Sequence, residues 1–223
     1  MTLDARLQTV LEFIEADVHA DIGTDHARLP LALVRSGRCQ RVIAVEVSAG
    51  PLALARSEVA RAGLGDRIEV RHGDGLAPIG PGEVDSASLT GMGARTILGI
   101  LSRARWLPPS LVVQPNAEAG ALRSWARRNG YHLQNEALVP GFWRYPVLHL
   151  VSAPGPDPAY TDLPEAAALS FGPHLLRAAD AQLAAELRQQ ERRLAALAQH
   201  GRPEVSAELQ TVLTALRTLG ATG

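Results

Sequence analysis

The chain has 223 residues, 46% hydrophobic and 20% charged, which supplies a sizeable core and argues against wholesale disorder. Its 22 basic residues against 23 acidic ones give a formal charge of −1, so it is no histone-like polycation and any nucleic-acid contact must come from a local patch. All 22 basic residues are arginine, which excludes lysine chemistry, and the single Cys39 excludes an internal disulfide and fits a reducing cytosol. No apolar run reaches the roughly 18 residues needed to span a bilayer, and MTLDARLQTVLEF lacks the features of a signal peptide. A cytoplasmic protein with no membrane partner is expected.

The spacing Leu3, Leu7, Val10/Leu11, Ile14 predicts an opening helix. VHADIG (18–23) then reads as a strand ending in glycine, and LPLALV (29–34) as a helix. RVIAVEV (41–47) is a β-branched strand run, and PLALARSEVARAG (51–63) has proline near a helix start and glycine past its end. RIEVRHGDG (67–75) alternates like a strand before a glycine-rich turn. DSASLTGMG (85–93) predicts a fourth strand running into the helix TILGILSRA, and SLVVQPN (110–116) a fifth before the helix AGALRSWARRNG (119–130). YHLQNEALV (131–139) and WRYPVLHLV (143–151) flank Pro140-Gly141-Phe142 and predict an antiparallel hairpin. Five β/α steps and a terminal hairpin imply an α/β fold, a mostly parallel doubly wound sheet with an antiparallel edge.

APGPDP (153–158) is the clearest linker, since three closely spaced prolines fit neither a helix nor a central strand. The boundary is set there, giving domains 1–153 and 154–223. Beyond it, residues 172–199 read as one helix with Leu176, Leu183, Leu187, Leu194 and Leu197 on an approximate heptad stripe, interrupted by Asp180 and Gln190. A second helix carries Val205, Leu209, Val212, Leu216 and Leu219. Together they predict an antiparallel helical hairpin, a core or partner seam that leaves monomer and homodimer both open.

Ligands of doubly wound sheets bind at the carboxyl ends of the strands. In ADIGTDHARLP (20–30), Asp21 and Gly23 end the first strand, where glycine admits a ligand to the backbone. The two further glycines of a dinucleotide fingerprint are absent, so an NAD-dependent oxidoreductase is disfavoured. Asp21 and Asp25 repel phosphate and attract an amino group or a sulfonium. Glu46, 21 residues after Asp25, can accept hydrogen bonds from ribose hydroxyls, although a strand-end glutamate serves as often as a solvated cap. Asp74, in GDG (73–75), can meet an adenine amino group, or the segment is a plain Asp-Gly turn. Gly91 and Gly93 of GMG clear space beside a reacting methyl group. Four such loops at one sheet edge describe an S-adenosylmethionine pocket.

These residues resemble the TrmK family. DIGTDHARLP, Glu46 followed by Gly50-Pro51, VRHGDGL, the GMG turn, QPN (114–116), LRSWARRNGY and FGPHLL carry the resemblance over nearly the whole chain. The departures are Ala94 where GMGG is usual and Arg28 where an aromatic residue is common. The resemblance implies a class I (Rossmann-like) S-adenosylmethionine-dependent methyltransferase domain with a C-terminal helical domain, acting on N1 of adenine 22 in bacterial tRNA. It implies that Asp21, Gly23, Asp25 and His26 line the methionine part of the cofactor. Glu46 would hold the ribose, with Val47 beside it in the cofactor site, Asp74 and Gly75 the adenine, and Gly91, Met92 and Gly93 would face the methyl group. Asp25 and Asn116 are the catalytic candidates, as contacts to the target base.

Methyl transfer to a ring nitrogen needs alignment of nucleophile, methyl carbon and sulfur, and no obligatory general base. The histidines lack metal-ligand spacing, so no metal is expected. Arg103, Arg105, Arg123, Arg127 and Arg128, on two successive helices, are candidate phosphate contacts, each also readable as a solvated arginine. Trp143, Tyr145 and Phe142 are stacking candidates or hairpin core. Two other readings are an S-adenosylmethionine-dependent methyltransferase acting on a small molecule and a non-catalytic RNA-binding or scaffold protein.

Overall fold

The β-branched runs of the first half become the parallel strands of one sheet: β1 (Ala16–Ile22), β2 (Cys39–Glu46), β3 (Ile68–His72), β4 (Ser86–Met92) and β5 (Ser110–Pro115). With β6 (Tyr131–Val139) and β7 (Tyr145–Ser152), the order across the computed structural model is β3-β2-β1-β4-β5-β7-β6. β7 runs antiparallel to β5, from Ser110 opposite Val151 to Val113 opposite Leu148, and β6 takes the outer edge. The structure describes residues 3–141, 144–199 and 202–221, so Phe142 and Trp143 lie outside the described residues.

The chain divides into two compact units, Met1–Glu118 with Leu133–Pro154, and Ala119–His132 with Gly155–Gly223. In the first, α1 (Ala5–Phe13), α2 (Arg28–Arg35), α3 (Ala49–Arg61) and α4 (Ala94–Arg103) follow the expected order. Asp4 caps α1 by accepting the Leu7 N–H at 2.8 Å, which satisfies one orphan donor of the first turn. Val42 and Ala44 of β2 pack with Leu33, Val34, Val59 and Ile68, while the alternate Ile43 and Val45 are 1% exposed on the opposite face. Burial of both faces explains why these strands read as continuous apolar runs rather than as polar–apolar alternation. Cys39 is buried and free, and burial pushes its thiol up to about 11.

The second unit holds α5 (Ala119–Arg128), a 3-10 turn at Pro158–Tyr160, α6 (Glu165–Phe171), α7 (Pro173–Arg177), α8 (Ala181–Ala198) and α9 (Pro203–Ala221). The single helix expected over 172–199 is two. Ala179 adopts a left-handed φ of 48°, and the Asp180 carboxylate accepts the Leu183 N–H at 2.7 Å, so the residue that interrupts the stripe is the cap that starts α8. Leu183, Leu187 and Leu194 are buried, as are Val212, Ala215 and Leu219, but Leu197 is 46% exposed and lies off the seam. Gln190 donates to Glu208 at 2.8 Å, a polar tie between the two long helices. The 3-10 turn and α6 have no counterpart in the sequence reading. Helix α6 is seven residues long and buries Ala167 and Ala168, side chains too small to mark a periodic stripe.

Candidate active site

The parallel strands bring four expected loops to one edge of the sheet. Gly23 follows β1, Glu46 ends β2, Asp74 follows β3, and Gly91 and Met92 end β4. Two clefts open along this edge. The first, about 360 Å³, is lined by Asp21, Gly23, Asp25, His26, Gly91 and Met92, joined by Arg6 and Thr24. The second, about 610 Å³, is lined by Asp74, Gly75, Arg103 and Arg105 with Ile100 and Trp106.

Asp21 is 3% exposed and accepts the Ser88 hydroxyl at 2.7 Å. Burial raises its pKa above the usual carboxylate value, the Ser88 hydrogen bond opposes that rise, and the nearby Glu46 charge adds to it. The Thr24 hydroxyl also lowers the pKa of Asp21 but is itself buried without a well-formed hydrogen bond. Gly23 holds a φ of 76°, and a Cβ there would meet the Met92 methyl carbon at 2.4 Å. Asp25 also sits at a positive φ, 52°, with a carboxylate 71% exposed and 3.4 Å from the His26 imidazole.

Glu46 is 7% exposed, and its carboxylate accepts two backbone N–H groups, Ser48 at 2.8 Å and Asp25 at 3.3 Å. These bonds fix the side chain and leave carboxylate lone pairs for a ligand. Val47 follows with 56% exposure, and its carbonyl is 3.0 Å from the His72 imidazole. Asp74 stands apart in the second cleft, its carboxylate 65% exposed and 3.3 Å from Arg103. Gly75 is needed twice over, since φ is 58° and a Cβ would lie 2.7 Å from Ile100.

Gln114 is fully buried and organises the GMG turn: its Oε1 accepts the Gly91 N–H at 3.0 Å and an Arg6 N–H at 2.6 Å. Asn116 ties the same turn to β5 through its own N–H to the Met92 carbonyl at 2.9 Å and its side-chain amide to the Gly91 carbonyl at 3.3 Å. Gly93 caps α4 with ordinary negative φ. The sequence reading missed Arg6, Thr24, Ser88 and Gln114 as parts of the site. The period-two pairs His19/Asp21 and Ser86/Ser88 were a signal for the Ser88 contact, because polar residues facing inward on central strands need partners.

The candidate arginines divide. Arg103 and Arg105 are exposed in the first unit, Arg127 and Arg128 in the second. Arg127 pairs with Glu165 at 2.6 Å and stacks 4.7 Å from the Tyr160 ring centroid. Arg128 donates to the Ser124 carbonyl at 3.2 Å. Arg123 is not a phosphate contact: at 2% exposure it donates to the Leu169 and Ser170 carbonyls at 3.0 and 3.2 Å, anchoring the end of α6. Tyr145 lies 5.9 Å beneath the Arg6 guanidinium. Among the described residues there is no cluster of His, Cys, Asp or Glu suited to a metal, and no helix long and apolar enough to cross a membrane.

Two buried carboxylates repel one another unless a cation lies between them or nearby. The site also offers a buried Thr24 hydroxyl without a well-formed hydrogen bond and a glycine floor at Gly23 that a side chain would fill. This donor set fits S-adenosylmethionine, which brings an ammonium, a sulfonium and two ribose hydroxyls.

The model of the family of tRNA (adenine(22)-N(1))-methyltransferases, TrmK, matches residues 19–220. The tRNA (adenine(22)-N(1))-methyltransferase of Bacillus subtilis strain 168 is 35% identical over 181 residues, 79% of this chain and 76% of that one. The crystal structure of the B. subtilis adenine-22 enzyme TrmK is similar at a TM-score of 0.82 and 30% identity, covering 99% of this chain and 98% of that one. Streptococcus pneumoniae Sp1610, solved in complex with S-adenosyl-L-methionine, gives 0.82 at 26% identity, covering 96% of this chain and all of that one. A match that runs from the middle of β1 almost to the end of α9 takes in both the sheet and the C-terminal helices, and the chain belongs to the TrmK family of tRNA (adenine(22)-N(1))-methyltransferases.

Proposed function

We propose that Asp21, Gly23, Asp25 and His26 line the methionine end of S-adenosylmethionine, that Glu46 holds its ribose with Val47 beside it in the cofactor site, and that Asp74 and Gly75 hold its adenine. Gly91, Met92 and Gly93 face its methyl group. The reaction they serve is that of the family: the chain is an S-adenosylmethionine-dependent methyltransferase acting on N1 of adenine 22 in tRNA. The observation that carries the residue assignments is the pair of buried carboxylates, Asp21 and Glu46, beside a glycine whose Cβ would strike Met92.

Bound in the cleft, the cofactor supplies an electrophilic methyl carbon on a sulfonium. The protein's own task is alignment, because adenine N1 already carries a lone pair and no residue has to remove a proton first. Gln114 and Asn116 hold the GMG turn in shape through their bonds to Gly91 and Met92, which keeps the methyl-facing wall narrow. N1 methylation makes the base cationic. The exposed Asp25 carboxylate stabilises that developing charge, and Asn116 contacts the base. A base paired or stacked in folded tRNA must be drawn out before N1 meets the methyl group.

Arg103, Arg105, Arg127 and Arg128 contact phosphates, so the RNA footprint is local on a chain with almost no net charge. Residues 154–223 act as a helical domain that grips the RNA, in a cytoplasmic enzyme that works as a monomer or a homodimer. The test is methyl transfer from labelled S-adenosylmethionine to unmodified tRNA transcripts with adenine or guanine at position 22. Label on the adenine transcript alone, recovered as N1-methyladenosine, is the expected result. Cofactor binding by calorimetry with no label on either transcript would overturn the tRNA reading and favour a small-molecule substrate.

A further inference from the structure

His19 stands next to the cleft without lining it. It lies on β1 two residues before Asp21, and it is directly opposite Ser86 on β4 as Asp21 is opposite Ser88. The four side chains form a two-by-two polar block within the sheet: His19 and Ser88 are fully buried, and Ser86 and Asp21 are each 3% exposed. Polar groups so deep are costly unless every one is satisfied, and here they satisfy one another. The His19 Nδ1 is 2.6 Å from the Ser86 hydroxyl, its Nε2 is 2.9 Å from the Ser88 hydroxyl, and Ser88 donates to Asp21 Oδ1 at 2.7 Å.

Donor counting fixes the direction of this chain. An ionised Asp21 only accepts, so the one proton of the Ser88 hydroxyl is spent on it. Ser88 must then accept from His19, which requires a proton on Nε2. Burial lowers the His19 pKa to about 3, so the ring is neutral, Nδ1 is a bare lone pair, and it accepts from the Ser86 hydroxyl. If Asp21 were protonated the polarity would reverse, with Asp21 donating to Ser88, Ser88 to Nε2, and Nδ1–H to Ser86. The tautomer of His19 therefore reports the charge of Asp21.

We propose that Ser86, His19 and Ser88 form a one-way hydrogen-bond relay that holds Asp21 ionised and fixed for the cofactor's ammonium group, which makes His19 and Ser88 positioning residues for cofactor binding. This rests on the assignment of Asp21 to the methionine end of the cofactor. The relay supplies from inside the sheet what solvent supplies to an exposed carboxylate. Neither His19 nor Ser88 touches the substrate, so their loss raises the concentration of cofactor required and leaves turnover at saturating cofactor unchanged.

The direct test is 15N-detected NMR of the full-length protein labelled at histidine. The expected His19 signal is that of the neutral ring with Nε2 protonated, unchanged between pH 6 and 8. A ring protonated on Nδ1 alone, or a charged ring, overturns the relay without any variant having to fold. The second arm is cofactor titration by calorimetry on the unsubstituted protein, Ser88→Ala, Ser86→Ala and Asp21→Asn. Ser88→Ala is expected to weaken binding about tenfold, in the range of one hydrogen bond to a charged group, and Ser86→Ala by less. A normal affinity in Ser88→Ala beside a weakened Asp21→Asn sinks the relay alone. A normal affinity in Asp21→Asn sinks the assignment of Asp21 itself.

Discussion

Two kinds of carboxylate stand at the same sheet edge. Asp21 and Glu46 are 3% and 7% exposed, and each is tied down by donors from neighbouring strands or loops. Asp25 and Asp74 carry carboxylates 71% and 65% exposed, each with one ion pair longer than 3.2 Å. An exposed pair is screened by water and holds little energy or geometry. A buried carboxylate that keeps its charge needs fixed partners, and the orientation they impose is available to a ligand at no further ordering cost. A sequence rich in acidic residues near strand ends thus holds two classes of site residue, separated by burial.

The largest effect is expected for Glu46→Ala, which removes a ribose partner and strands the Asp25 and Ser48 N–H groups. It is expected to cost about 2–3 kcal/mol of cofactor affinity, roughly 30- to 150-fold in Kd by calorimetry. Arg123→Ala separates stability from binding. It leaves the Leu169 and Ser170 carbonyls without this donor and should lower stability in urea by about 2 kcal/mol, with the cofactor Kd unchanged.

Acid sharpens the buried side of the contrast. His19 titrates at about 3 when folded against 6.5 in its reference state, so the unfolded chain binds the extra proton between those values. Its contribution to stability is therefore full above pH 6.5 and is lost progressively as pH falls towards 3. Denaturant midpoints should fall across that window, and less steeply in His19→Val. Glu83 acts in the same direction over a lower window. Hydrogen bonds from Arg71 and the Gly80 N–H hold it down to about 2, so its contribution persists above pH 4.5 and fades only towards pH 2. The smallest effect is expected for Asp74→Asn, at most about fivefold in cofactor Kd, as befits an exposed pair.

Much of the fold was legible because central strands such as β2 and β5 are buried on both faces and stand out as apolar, β-branched runs, while the edge strand β3 shows itself by alternation. The linker prolines were as visible as the strands. Helices α7 and α8 were merged because Asp180 reads on a sequence as a flaw in a stripe, and only its bond to Leu183 shows it to be a cap. Grouping of residues 119–132 with the C-terminal helices could not be read either, since a helix following a strand looks the same whichever unit it joins. At the site, Asp21, Gly23, Glu46 and Gly91 announced themselves by chemistry at strand ends. Ser88 and Gln114 did not, because a serine or glutamine within a strand carries meaning only once the register shows what lies opposite. Arg123 shows the reverse error, an arginine taken for surface whose charge is spent on two carbonyls.

The most direct test of the claim that burial sorts these carboxylates is a calorimetric titration of S-adenosylmethionine into Asp21→Asn and Asp25→Asn, two substitutions in one loop. Asp21→Asn is expected to lose at least tenfold in affinity and Asp25→Asn to change by less than threefold, its defect falling on turnover instead. Equal losses in the two variants, or the larger loss at Asp25, would contradict the claim.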